Sequence, residues 1–146
     1  MDTARLWLFL PVGYLVTVAV EAPVLFLLLS PRHPAPRRLF AGLWLTACTY
    51  PVVVLVLPVL FNGVSRAAYL AVAEVFAPAA ECALFWLAFG GKGGKGGKGE
   101  EGEKGEKGSL GRRSMWRDFA AVTAANVLSF LAGEVVGAYG WFGLFG

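Results

Sequence analysis

Four long apolar runs in this chain contain no lysine, arginine or histidine, and the whole sequence holds one histidine and two cysteines. His33 falls between runs, which excludes axial histidine ligation of haem inside them and leaves histidine-based metal or general-base chemistry without support. No serine has a histidine partner for acyl transfer. Cys48 and Cys82 both lie inside runs, where small apolar filler is their ordinary role and redox compartment cannot be read from them. A soft-metal site joining them to Glu21 and Glu81 would need a ligand spacing that matches no known pattern. The glycine-lysine tract is repetitive and does not sit between a strand and a helix, so it is no phosphate-binding loop. No cofactor and no catalytic residue is expected, and an enzyme acting through carboxylates alone has no positive support.

What remains is abundant apolar sequence with its charge set apart in blocks. Of 146 residues, 57% are hydrophobic and 16% charged, and the charges collect between the apolar runs rather than alternating at a period of two or 3.6, as a soluble fold requires. Residues 6–29, 39–61, 67–89 and 119–139 are each long enough to cross about 30 Å of hydrocarbon at about 1.5 Å per residue. The first run exceeds a secretory h-region, carries Glu21 and lacks a basic segment followed by a cleavage site, so it is expected to be retained. The fold class is therefore all-α, an integral membrane four-helix bundle.

The net charge of +3 reflects topology rather than nucleic acid, which is not an expected partner. Arg32, Arg37 and Arg38 lie between the first two runs, and Lys92, Lys95, Lys98, Lys104, Lys107, Arg112, Arg113 and Arg117 between the last two. Only Arg5 and Arg66 fall on the other side. The positive-inside rule then places both long connections in the cytoplasm and both termini outside. Trp7, Trp86, Trp116 and Trp141 lie near run ends, where amphipathic rings favour the headgroup layer. The expected location is the cytoplasmic membrane of a prokaryote, with the lipid bilayer as first partner.

From Gly90 to Gly111 every third residue is glycine. This is formally a collagen period, but seven proline-free triplets with no trimerisation partner do not sustain a triple helix. Residues 90–111 are expected to form a disordered, solvated cytoplasmic loop. Setting that loop aside exposes an internal repeat. EAPVLFLLL from Glu21 resembles ECALFWLAF from Glu81, and each is followed by a run with two small polar residues three apart, Thr46 with Thr49 and Asn126 with Ser129. The expectation is two tandem helical hairpins forming a parallel repeat about an axis along the membrane normal.

The buried polar groups fall at two depths. Glu21, Glu81, Asn126 and Thr49 share an inner level, and Glu74 and Glu134 an outer one. A charge near the bilayer centre costs on the order of 3 kcal/mol, and each leucine or valine returns roughly 0.3 to 0.6. Helical spacing turns Glu74 and Glu81 onto one face of the third helix. Ser129, Gly133 and Gly137 continue a small-residue ridge suited to close helix packing. With no cation in the spans, the carboxyls must be neutral, hold a cation, or reach water. The leading expectation is a transport-type protein handling protons or small cations at Glu21, Glu81, Asn126 and Thr49, with Glu74 and Glu134 on the outer path. A homo-oligomer or larger complex would supply what four helices cannot enclose. The alternative is a noncatalytic subunit or scaffold whose protonated glutamates are interhelical hydrogen-bond donors.

Overall fold

A computed structural model describes residues 3–90 and 104–138, and all the secondary structure among them is helical. Helix α1 spans Thr3–Leu28, and α2 spans Ala35–Pro51 and runs on through a π-helical turn, Val52–Val56, into α3, Leu57–Leu60. Helix α4, Arg66–Phe85, ends in a second π-helical turn, Trp86–Gly90, and α5 covers Lys104–Ala138. Four helical rods are thus long and apolar enough to cross a membrane, over Leu10–Leu28, Ala35–Leu60, Arg66–Gly90 and Arg113–Val136. Their outward surface is apolar as well. Leu15, Leu27, Val59, Val75, Leu87 and Val135 are each more than half exposed, a continuous greasy exterior that water would penalise.

The stretch expected to lack structure, residues 90–111, falls mainly outside the described residues. At its edges the structure differs from expectation: Gly90 closes the second π-helical turn, and α5 begins at Lys104 rather than after Gly111. Propagating a helix from an already formed rod needs no new nucleus, so the glycine penalty of about 1 kcal/mol each does not stop it.

Adjacent rods form a ring. Helix α1 packs on α2 and α5, and α4 on α5 and α2, leaving α1 opposite α4 and α2 opposite α5. The α1–α2 crossing is close because Gly42 has no side chain. A Cβ there would lie 2.8 Å from Ala22 Cα. The tight turn into α4 uses Gly63 at φ 91°, a left-handed conformation that glycine adopts without penalty. Ser65 caps α4 by accepting from the Ala68 N–H at 3.3 Å.

The prolines divide into two kinds. Pro11, Pro23 and Pro78 sit within continuous helices, whereas Pro51 marks the change to π register. In that register the Leu57 N–H reaches back five residues to the Val52 carbonyl. Pro58, next in line, has no N–H to offer Val53. The Tyr69 hydroxyl on α4 donates to the Val53 carbonyl instead, at 2.8 Å.

Two ends of the bundle can be told apart by charge. At the basic end, residues 29–34 join α1 to α2 and the first turns of the last membrane-length segment carry Arg113 and Arg117. There the last carbonyls of α1 are capped by other segments: Arg38 Nη1 donates to Phe26 at 3.2 Å and Arg117 Nε to Leu28 at 3.0 Å. The turn end holds residues 61–65, between α3 and α4.

Candidate functional site

Glu21 and Glu81 are 2% and 1% exposed, and the ring of helices brings them to one level. Thr46 Oγ1 donates to one oxygen of Glu21 at 2.5 Å and Ser129 Oγ to the other at 2.7 Å. Around Glu81, Asn126 Nδ2 donates to one oxygen at 2.8 Å and Thr49 Oγ1 to the other at 2.6 Å. Each carboxyl therefore receives one bond from the next helix of its own hairpin and one from the opposite hairpin. Glu21 takes Thr46 and Ser129; Glu81 takes Asn126 and Thr49.

The hydroxyls have a second acceptor in reach. Thr46 Oγ1 lies 2.7 Å from the Gly42 carbonyl, Thr49 Oγ1 lies 3.1 Å from that of Leu45, and Ser129 Oγ lies 3.0 Å from that of Asn126. A hydroxyl has one hydrogen and can also accept. When the carboxyl is ionised, the hydroxyl donates to it. When the carboxyl carries a proton, it donates to the hydroxyl, whose hydrogen turns to the helix carbonyl. Both protonation states are satisfied without moving a heavy atom.

Toward the turn end, this level forms the floor of a cavity of about 270 Å³. Thr17, Tyr50, Tyr69, Glu74, Phe130 and Glu134 are among its walls. Toward the basic end, the space is filled. Leu25, Leu29, Ala41, Leu45, Phe85, Ala121, Val122 and Ala125 form a buried apolar layer directly beneath the glutamates. The cavity thus has a mouth side and a sealed side.

Among the residues singled out in the sequence, Glu21, Glu81, Asn126, Thr49 and Ser129 converge, while Glu74 and Glu134 line the outer part of the cavity. The expectation that no cation pairs with the carboxylates fails for Glu134. Arg66, at the start of α4, is long enough to reach it and contacts both its oxygens at 2.9 and 3.1 Å. Among the described residues Gly133 makes no close helix contact, since a Cβ there would meet nothing within 4 Å. It lines the cavity, which occupies the space a close crossing would fill. Gly137 falls outside the residues whose surroundings are described. Cys48 is exposed and Cys82 half-buried, and among the described residues no three histidine, cysteine, aspartate or glutamate side chains are grouped to hold a metal ion.

A second polar centre, at the basic end, is not evident from the spans. Asp118 is wholly buried and accepts from the Ser30 N–H at 2.7 Å, the Ser30 hydroxyl at 3.1 Å and Arg32 Nη2 at 2.5 Å. His33 Nε2 lies 3.2 Å from the same carboxylate. Arg32 Nε donates to the same Nε2 at 3.0 Å, so this nitrogen faces a donor and an acceptor at once, while Nδ1 is buried with no hydrogen-bond partner among the described residues. The ring stands edge-on to Phe85, with centroids 5.4 Å apart. Burial holds the His33 imidazole below its ordinary value of 6.5, against the opposing pull of Asp118. Because the serine and the histidine both face the aspartate rather than each other, this is no nucleophile triad. The available signal was composition: Asp118 and Asp2 are the only aspartates, and His33 the only histidine.

No protein-family model matches the chain, and no curated protein and no solved structure shows significant similarity to it.

Proposed function

We propose that this is an integral membrane protein of transport type, with Glu21 and Glu81 as the site that takes up protons or small cations from the cavity. The observation that carries the reading is the hydroxyl geometry. Thr46, Thr49 and Ser129 each stand between a carboxyl oxygen and a helix carbonyl, so the carboxyls can gain or lose a proton at little structural cost. Two carboxylates on one cavity floor repel when both are ionised, and a proton or a monovalent cation relieves that repulsion. Glu74 gives the approach to the floor an acidic wall, beside Glu134 and its Arg66 partner.

The apolar exterior supports insertion in a bilayer. Arginines at the basic end support placing that end in the cytoplasm, both termini outside and the cavity mouth outward. The reciprocal bonding supports the parallel repeat, with Glu21 equivalent to Glu81, Thr46 to Asn126 and Thr49 to Ser129. A prokaryotic cytoplasmic membrane is the matching location.

The test is an infrared titration of protein in lipid, paired with flux into vesicles. Carboxyl C=O bands are expected to rise and fall with pH, Glu21→Gln and Glu81→Gln each removing part of the signal and the flux. If wild-type protein moves neither protons nor cations and its carboxyl bands ignore pH and salt, the reading is lost. The apolar layer below the glutamates favours a second reading, a scaffold in which the carboxyls only join helices. Glutamine variants that retain full cellular function would favour it.

A further inference from the structure

The layer that seals the cavity floor is itself fastened from below. Leu25 reaches it from α1 and Leu29 from just past the end of that helix, Ala121, Val122 and Ala125 from α5, and Phe85 from α4. Directly beyond it, Asp118 on α5 binds the Ser30 backbone, the Ser30 hydroxyl, Arg32 and His33, all on the segment leaving α1. The His33 ring lies against Phe85 at 5.4 Å and near Phe89 at 6.1 Å, so the same knot presses on two aromatic side chains of α4 and its π-helical turn. Arg38 Nε holds the loop by donating to the His33 carbonyl at 2.8 Å. All four rods thereby meet at one point outside the seal.

The strength of the tie is concentrated. One carboxylate with no exposed surface takes the Ser30 N–H, the Ser30 hydroxyl and Arg32 Nη2 together, and among the described residues no other carboxylate of α5 meets that segment. Loss of its charge would leave the Ser30 N–H a neutral carbonyl in place of a carboxylate and would break the ion pair with Arg32, so that the bond from Arg117 Nε to the Leu28 carbonyl would be left to hold α5 to α1 below the glutamates beside their apolar contacts.

We propose that Asp118 is the latch of a gate at the basic end, holding the apolar layer closed between the Glu21–Glu81 site and the adjoining solution. The latch rests on the transport reading, because a gate regulates access to that site. Opening parts the end of α1 from α5 and gives the carboxyl level a route to the basic side, which the cavity alone does not provide.

A natural reporter sits in the layer. Cys82 follows Glu81, packs against the apolar cluster and points its thiol at the Phe119 carbonyl, 3.8 Å away; it does not line the cavity. In full-length Cys48→Ser protein in nanodiscs, a charged, water-soluble methanethiosulfonate should label Cys82 slowly. Asp118→Asn should raise that rate by about tenfold, the value of one charge-assisted bond, and Arg32→Gln should raise it less. A reporter on the other side of the glutamates, Ala73→Cys in a chain lacking Cys48 and Cys82, should keep its rate in both variants. An unchanged Cys82 rate overturns the latch, and so does a rise at Cys82 matched at position 73, which marks general loosening. Neither result depends on ion movement, so the latch can fail while the infrared and flux results still stand, and the reverse.

Discussion

Two buried acidic centres lie within a few helical turns of each other and are solvated by opposite means. Glu21 and Glu81 are met mainly by hydroxyls, groups that donate or accept as required. Asp118 is met by a backbone N–H and a guanidinium, which only donate, together with one hydroxyl and an imidazole. The first centre tolerates a change of charge; the second depends on keeping its charge. A low-dielectric interior makes an unmatched polar group expensive, so neighbours that only donate suit a carboxylate, while neighbours that donate or accept suit either form of a carboxyl.

Substitutions test the contrast directly, and the largest effect belongs to the charge-locked centre. Asp118→Ala strands a guanidinium and an N–H, and should lower unfolding free energy in detergent by about 3 kcal/mol. Next comes Gly42→Ala, whose Cβ meets the Ala22 backbone at 2.8 Å. By pushing α1 from α2 it should cost about 2 kcal/mol and weaken the Glu21–Thr46 bond. Glu81→Gln should cost less than about 1 kcal/mol, because Asn126 still finds a carbonyl oxygen and Thr49 can accept from the new amide. Equal costs for Asp118→Asn and Glu81→Gln would erase the distinction between the two centres.

The smallest effect is one of pH. His33 titrates in the fold below its ordinary value of 6.5, so between the two values the unfolded chain binds more protons. Its contribution is present above about pH 6.5 and lost as pH falls toward the depressed value. The melting temperature should therefore decline more steeply on acidification in wild type than in His33→Gln. Identical slopes would remove His33 from the account.

The sequence made the apolar rods readable because hydrocarbon-length runs need no tertiary information. Glu21, Glu81, Asn126 and Thr49 were readable as one level because depth along a helix can be counted from its ends. The partners were not readable. Nothing in the spacing assigns Ser129 to Glu21 and Thr49 to Glu81, since that pairing depends on which helices are diagonal in the ring. Arg66 and Glu134 are 68 positions apart, and the reach of a long side chain from a turn into a cavity mouth leaves no periodic trace. Asp118 was hidden by its setting. It stands among arginines that were counted only for topology, yet a buried carboxylate beside a span is itself a request for donors.

The exchange of bonds between hairpins also bears on how such a chain is made. With only α1 and α2 in place, Glu21 has Thr46 but lacks Ser129, and Thr49 faces no carboxylate. Helices α4 and α5 alone leave Glu81 equally short. Each half carries a defect that only the other repairs, so full bonding of either glutamate requires all four rods to be in place.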